Sequence, residues 1–79
     1  MRPPNYSNRA AKALSTMDSV VKKRIKKGIE EIPKGNIKPL QGFSDGRKRL
    51  RIGKYRIVFI QDGEDLDILD IASRGDIYK

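Results

Sequence analysis

The stretch that most constrains this chain is Arg49-Leu50-Arg51-Ile52-Gly53-Lys54-Tyr55-Arg56-Ile57-Val58-Phe59. It reads as two segments, each apolar at every second residue, joined by Gly-Lys. Such alternation marks half-buried strands, and a glycine leading a two-residue connection suits a type II′ hairpin. With Gly53-Lys54 as the turn, Ile52 pairs with Tyr55, Arg51 with Arg56, Leu50 with Ile57, Arg49 with Val58 and Lys48 with Phe59. One face then carries Leu50, Ile52, Tyr55, Ile57 and Phe59. The other carries Arg47, Arg49, Arg51, Arg56, Val58 and Ile60. Like charges set directly opposite each other destabilise a sheet by roughly 0.2–1 kcal/mol. Guanidinium forks bind phosphate oxygens in pairs and stay charged at physiological pH. The four arginines therefore predict a phosphate-binding surface, against the plainer alternative of a solvated face whose long side chains splay apart.

The rest of the chain supplies a cover for the apolar face. Ser7 is placed to cap a helix whose apolar positions are Ala10, Leu14 and Met17. Asp18 or Ser19 caps a second, with Val21, Ile25, Ile29 and Ile32 on one stripe and Pro33 ending it. Lys26–Glu30 and Lys27–Glu31 are spaced for weak pairs along that helix, and Gly28 predicts a close approach by the first helix. Residues 33–46, rich in Gly and Pro, read as a connection, with Leu40 and Phe43 tucked onto the core. Strand-like runs follow at Arg47–Ile52, Tyr55–Gln61 and Leu66–Ser73, with a turn at Asp62-Gly63. An odd number of residues in that turn puts Asp70, Ala72 and Arg74 beside the arginines, with Leu69 and Ile71 in the core; an even number reverses this. Pro3 and Pro4 restrict the N-terminus to an extended arm or an edge strand. The expected fold is α+β: one domain, 1–79, with two N-terminal helices on one face of a small antiparallel sheet.

Composition narrows the chemistry. The 79 residues include no Cys and no His, so disulfides, thiolate metal sites, cysteine nucleophiles and imidazole acid–base catalysis are excluded. Residues 1–56 hold 16 basic and 4 acidic side chains, net +12, and residues 57–79 hold 2 and 6, net −4. Charge concentrated in this way predicts an anionic partner, nucleic acid before lipid. No apolar run approaches the ~20 residues of a membrane span and no signal-peptide pattern opens the chain, so a soluble cytoplasmic protein is expected.

Five fragments, in order and correctly spaced, resemble the RelE/ParE toxin superfamily of type II toxin–antitoxin systems, closest to its RelE branch. They are Tyr6 to Leu14, Val21 to Ile25, Lys34 to Gly42, the hairpin from Arg49 to Val58, and the tail Ile71-Ala72-Ser73-Arg74-Gly75-Asp76-Ile77-Tyr78-Lys79. The resemblance implies a metal-independent endoribonuclease, with no cofactor, that cleaves mRNA in the ribosomal A site. It also implies a monomeric toxin neutralised in complex with a RelB-like antitoxin. The positions matching the family's functional residues are Arg49, Arg51, Arg56, Arg74 and Tyr78; Arg47, Lys48 and Lys54 are further RNA-binding candidates. Two departures stand out: Arg replaces the branch's Lys at 49 and 51, and Ser73 and Gly75 replace a frequent His and Arg.

Without histidine, the arginines are expected to bind the scissile phosphate and stabilise its transition state. Arg74 is assigned to the leaving-group side, and Tyr78 to stacking on a base or orienting the 2′-hydroxyl. For the general base the candidates are Lys48, Lys54, Asp76 or a group on the ribosome. Two rival readings are a ParE-like inhibitor of DNA gyrase and a non-catalytic or inactivated RNA-binding relative. The second draws on the lack of an obvious aromatic platform for base stacking.

Overall fold

The computed structural model describes residues 3–32 and 34–73. In chain order these form β1 (Asn5–Tyr6), α1 (Asn8–Ser15), α2 (Ser19–Glu30), β2 (Asn36–Pro39), β3 (Lys48–Ile52), β4 (Tyr55–Asp62) and β5 (Asp65–Ser73). The strands make one sheet in the order β1-β5-β4-β3-β2, antiparallel except where β1 runs parallel to β5. None of the described helices is long and apolar enough to cross a membrane.

Local chemistry sets both helix starts. The Ser7 hydroxyl accepts the amide of Ala10 at 3.1 Å, and the Asp18 carboxylate accepts that of Val21 at 2.9 Å. Each satisfies an amide left over by the helix geometry. The helices bury Ala10, Leu14, Ile25 and Ile29 in one cluster with Leu50, Ile57, Phe59, Ile68 and Ile71 of the sheet. Gly28 lies where α2 crosses close to the sheet: a methyl group there would meet the end of the Ile52 side chain, which would have to shift. The close neighbour is thus β3 and not the first helix, as the sequence had implied. The expected Lys26–Glu30 and Lys27–Glu31 pairs do not close: neither is among the ion pairs of the described residues.

The first hairpin adopts the anticipated register at all five pairs, from Ile52–Tyr55 to Lys48–Phe59. Gly53 has φ +57° and no non-glycine residue among those described has positive φ, as a type II′ turn requires. The second hairpin departs from expectation. Asp62 pairs with Asp65, so its two turn residues are Gly63 and Glu64. An even turn alone would carry Asp70 under the helices. Between Val58–Asp70 and Phe59–Ile68, however, Leu69 is left over as a bulge. That extra residue restores Ile71 to the core and Asp70 and Ala72 to the arginine face. It also keeps Leu69 out of the core, where Ile68 sits instead. Ser7 secures the irregularity: its amide donates to the Ile68 carbonyl at 2.9 Å and its hydroxyl to the Leu69 carbonyl at 2.6 Å.

Residues 36–39 also depart from the expected loop. They form an edge strand on β3, with Lys38 opposite Arg49 and Asn36 opposite Arg51.

Candidate functional site

Alternation places a row of guanidiniums on the face of the sheet away from the helical core. Arg49 lies opposite Val58, and Val58 opposite Asp70; one step on, Arg51 lies opposite Arg56, and Arg56 opposite Ala72. Ile52 and Tyr55 close the hairpin as a hydrogen-bonded pair. Arg51 and Arg56 therefore form the closer, non-hydrogen-bonded kind, with α-carbons about 4.5 Å apart. The fold holds these two cations together in the backbone itself.

A hollow of about 530 Å³ opens on this face. Arg9, Phe43, Arg47, Arg56, Leu69 and Asp70 are among the residues lining it. Leu40 also lines it, so Leu40 and Phe43 pack on the arginine side of the sheet and not on the helical core. The reason is topological: β2 sits at the far edge of the sheet, and the loop that follows it returns across the face the helices leave bare. Phe43 remains 50 % exposed. The aromatic surface that the sequence reading lacked is therefore present.

The individual cations differ. Arg47 is already engaged: its Nη2 donates to Asp45 Oδ2 at 2.7 Å, its Nε to both carboxylate oxygens, and its guanidinium lies 4.1 Å from the centre of the Phe43 ring. The hydrogen bonds from Arg47 hold the Asp45 carboxyl below its ordinary pKa and raise that of Arg47. Arg49 is buried at 9 % exposure. Arg56 is half-buried, and its Nε donor is shielded from solvent with no hydrogen-bond acceptor among the described residues. Leaving such a donor unmatched costs about 1–3 kcal/mol, and more for a charged group. Arg51 is exposed.

Lys48, in register with Phe59, belongs to the opposite face, and Lys54 sits in the hairpin turn with its ammonium 5.7 Å from the Tyr55 ring centre. Arg74, Asp76 and Tyr78 lie outside the described residues. Two groups that sequence reasoning did not single out contribute to the hollow. Asp70 supplies its carboxylate, paired loosely with Arg9 at 3.9 Å. Arg9 reaches it from α1. The alternation rule already held Asp70 as one of two outcomes; nothing in the sequence marked Arg9.

Comparisons with known proteins agree on the relationship. Residues 5–78 match the family model for the ParE toxin of the type II toxin–antitoxin system parDE. Among solved structures, a chain of the RelB–RelE antitoxin–toxin complex from Methanococcus jannaschii superposes with a TM-score of 0.77. It is 27 % identical, over 94 % of each chain. A chain of the archaeal RelE–RelB complex from Pyrococcus horikoshii OT3 gives 0.69 at 22 % identity, covering 94 % of this chain and 98 % of that one. A chain of the intact Escherichia coli RelBE complex gives 0.61 at 23 % identity, over 87 % and 92 %. No curated protein matches the sequence at a significant level.

Proposed function

The chain belongs to the ParE toxin family of type II toxin–antitoxin systems, within the RelE/ParE superfamily, and from its arginine face and its likeness to a RelE chain we propose that it is a ribosome-dependent, metal-independent endoribonuclease that cuts mRNA in the A site. The observation that carries this reading is the hollow on the arginine face. There Arg56, whose shielded Nε has no acceptor among the described residues, lines the same opening as the half-exposed Phe43 ring. An RNA strand offers phosphate oxygens to the guanidiniums of this face and bases to the ring.

Cleavage proceeds by attack of the 2′-oxygen on the adjacent phosphorus as the 5′-oxygen departs. Arg49, Arg51 and Arg56 hold that phosphate and stabilise the charge that builds on it. Arg74 serves the leaving 5′-oxygen, and Tyr78 orients the 2′-hydroxyl or stacks on a base. Asp70 joins Lys54 and Asp76 as a candidate general base; a carboxylate accepts a proton where a guanidinium does not. Lys48 fits that role less well, because it belongs to the helix side of the sheet. A RelB-like antitoxin is the proposed partner in the cytoplasm, by likeness to the RelB–RelE complexes.

Primer extension on a translated message tests the reading. New ends inside codons are expected on induction and are lost in Arg56→Ala and in the Arg49→Ala, Arg51→Ala pair. Removing one electrostatic stabiliser of this kind typically costs about 10²–10³ in rate. Phe43→Ala is expected to weaken RNA binding by about 1–3 kcal/mol if one base stacks there. The match to the ParE family model favours one alternative, a gyrase inhibitor. Growth arrest with intact messages and blocked supercoiling would establish that instead.

A further inference from the structure

A second cationic hollow lies between α2 and the hairpin end of β3, apart from the one already described. It encloses about 420 Å³, within the range of small-ligand sites, and Arg24, Lys27, Lys34 and Arg51 line it with Glu31 as the one carboxylate. All five are exposed. None of the four cations takes part in the ion pairs of the described residues, which join Arg9 to Asp70 and Arg47 to Asp45. Four cations have thus converged on one depression with a single opposing charge.

Two features make this more than a diffuse basic surface. The first is the placement of Arg24. Its Cζ, Nη1 and Nη2 lie 3.8, 3.9 and 3.6 Å from the point where a side chain on Gly53 would begin. Three guanidinium atoms nearly equidistant from one point lie face-on to it. The hairpin turn therefore backs the plane of the guanidinium and leaves its in-plane N–H donors for a ligand. The second is Arg51, which lines this hollow and also stands opposite Arg56 on the arginine face. One residue of this hollow is thus the cross-strand partner of Arg56, which lines the other.

We propose that this depression is a second phosphate-binding site for an RNA backbone, so that one strand held at Arg56 continues past Arg51 to Arg24, Lys27 and Lys34. A linear chain with a phosphate at every residue suits a continuous track of this kind. The fork of Arg24 matches phosphate oxygens in pairs. An acidic protein segment is the competing occupant and becomes an outcome of the test.

The test uses the full chain and a fluorescein-labelled 12-nucleotide oligouridylate, with binding followed by anisotropy between about 50 and 200 mM salt. Each single-strand phosphate contact contributes roughly 0.7 to the slope of log K against log salt. The Arg24→Gln, Lys27→Gln, Lys34→Gln variant is expected to flatten that slope by about 2 and to bind at least tenfold more weakly. A control with the same change in charge, Lys12→Gln, Lys23→Gln, Lys26→Gln, is expected to lose less than half as much. Arg24→Lys keeps the charge without the fork and is expected to fall between wild type and the triple variant; it also serves should the triple variant fold poorly. Equal losses in triple variant and control, or no loss in either, would overturn the proposal. So would an oligoglutamate peptide that depends on the same three residues while RNA does not. The track rests on the RNA reading of the arginine face, but message cleavage is not read out, so failure here leaves the nuclease proposal standing.

Discussion

The two faces of the sheet obey different rules, although they are built from neighbouring residues of the same strands. On the helix side, Leu50, Ile57, Phe59, Ile68 and Ile71 are between 0 and 3 % exposed. Removing apolar area from water accounts for each of them, at about 25 cal/mol per Å². On the other side, Arg51, Arg56, Val58, Asp70 and Ala72 remain exposed or half-buried. Nothing in the packing calls for a guanidinium at 51 or 56, and their mutual repulsion opposes one. Residue choice on the covered face therefore follows from stability, and the arginines at 51 and 56 on the other face do not.

Substitutions on either side can break that contrast. Phe59→Ala is expected to cost about 3–5 kcal/mol, most of the margin of a domain this small, and urea denaturation reads it directly. Arg56→Met, on the same strand but facing the other way, is expected to change stability by less than about 1 kcal/mol and to raise it if anything, because it removes a shielded donor that has no acceptor among the described residues. A loss comparable with that of Phe59→Ala would mean that the arginine face is structural after all. The smallest effect belongs to Tyr6 at the edge of the covered side. Burial first, and the charge of Glu30 second, push its phenol above its ordinary pKa of 10.0. The unfolded chain then loses this proton more readily than the folded one. The associated stability is intact below about pH 10 and is lost as pH rises through the folded value. Comparing melting temperatures at pH 9 and 11, Tyr6→Phe is expected to show the shallower decline.

What the sequence revealed follows the same division. The first hairpin was legible to the residue because alternation, a glycine at the required positive φ and a two-residue turn all agree. The grouping of Arg49, Arg51 and Arg56 on its outer face followed from that register. The second hairpin was not, since its outcome depends on Leu69, and a bulge of this kind leaves no mark in composition or spacing. Leu40 and Phe43 misled because an apolar side chain in a loop looks like core. Here they cover the bare face, which periodicity within one strand does not reveal. Strand β2 was hidden for a related reason: four residues ending in proline carry too little pattern to declare an edge. Arg9 and Arg24 enter their hollows only through the way the helices cross the sheet.

The leftover residue in β5 has an unusual corollary for how this gene tolerates change. Dropping one amino acid from a strand ordinarily transposes everything beyond it, sending oily groups into water and charges inward. Excising Leu69 does the reverse, because Ile68 and Asp70 already face Phe59 and Val58 in sequence, and every later partnership survives intact. The lesion that elsewhere scrambles a strand would here straighten it, at the loss of the bond from the Ser7 hydroxyl to the Leu69 carbonyl.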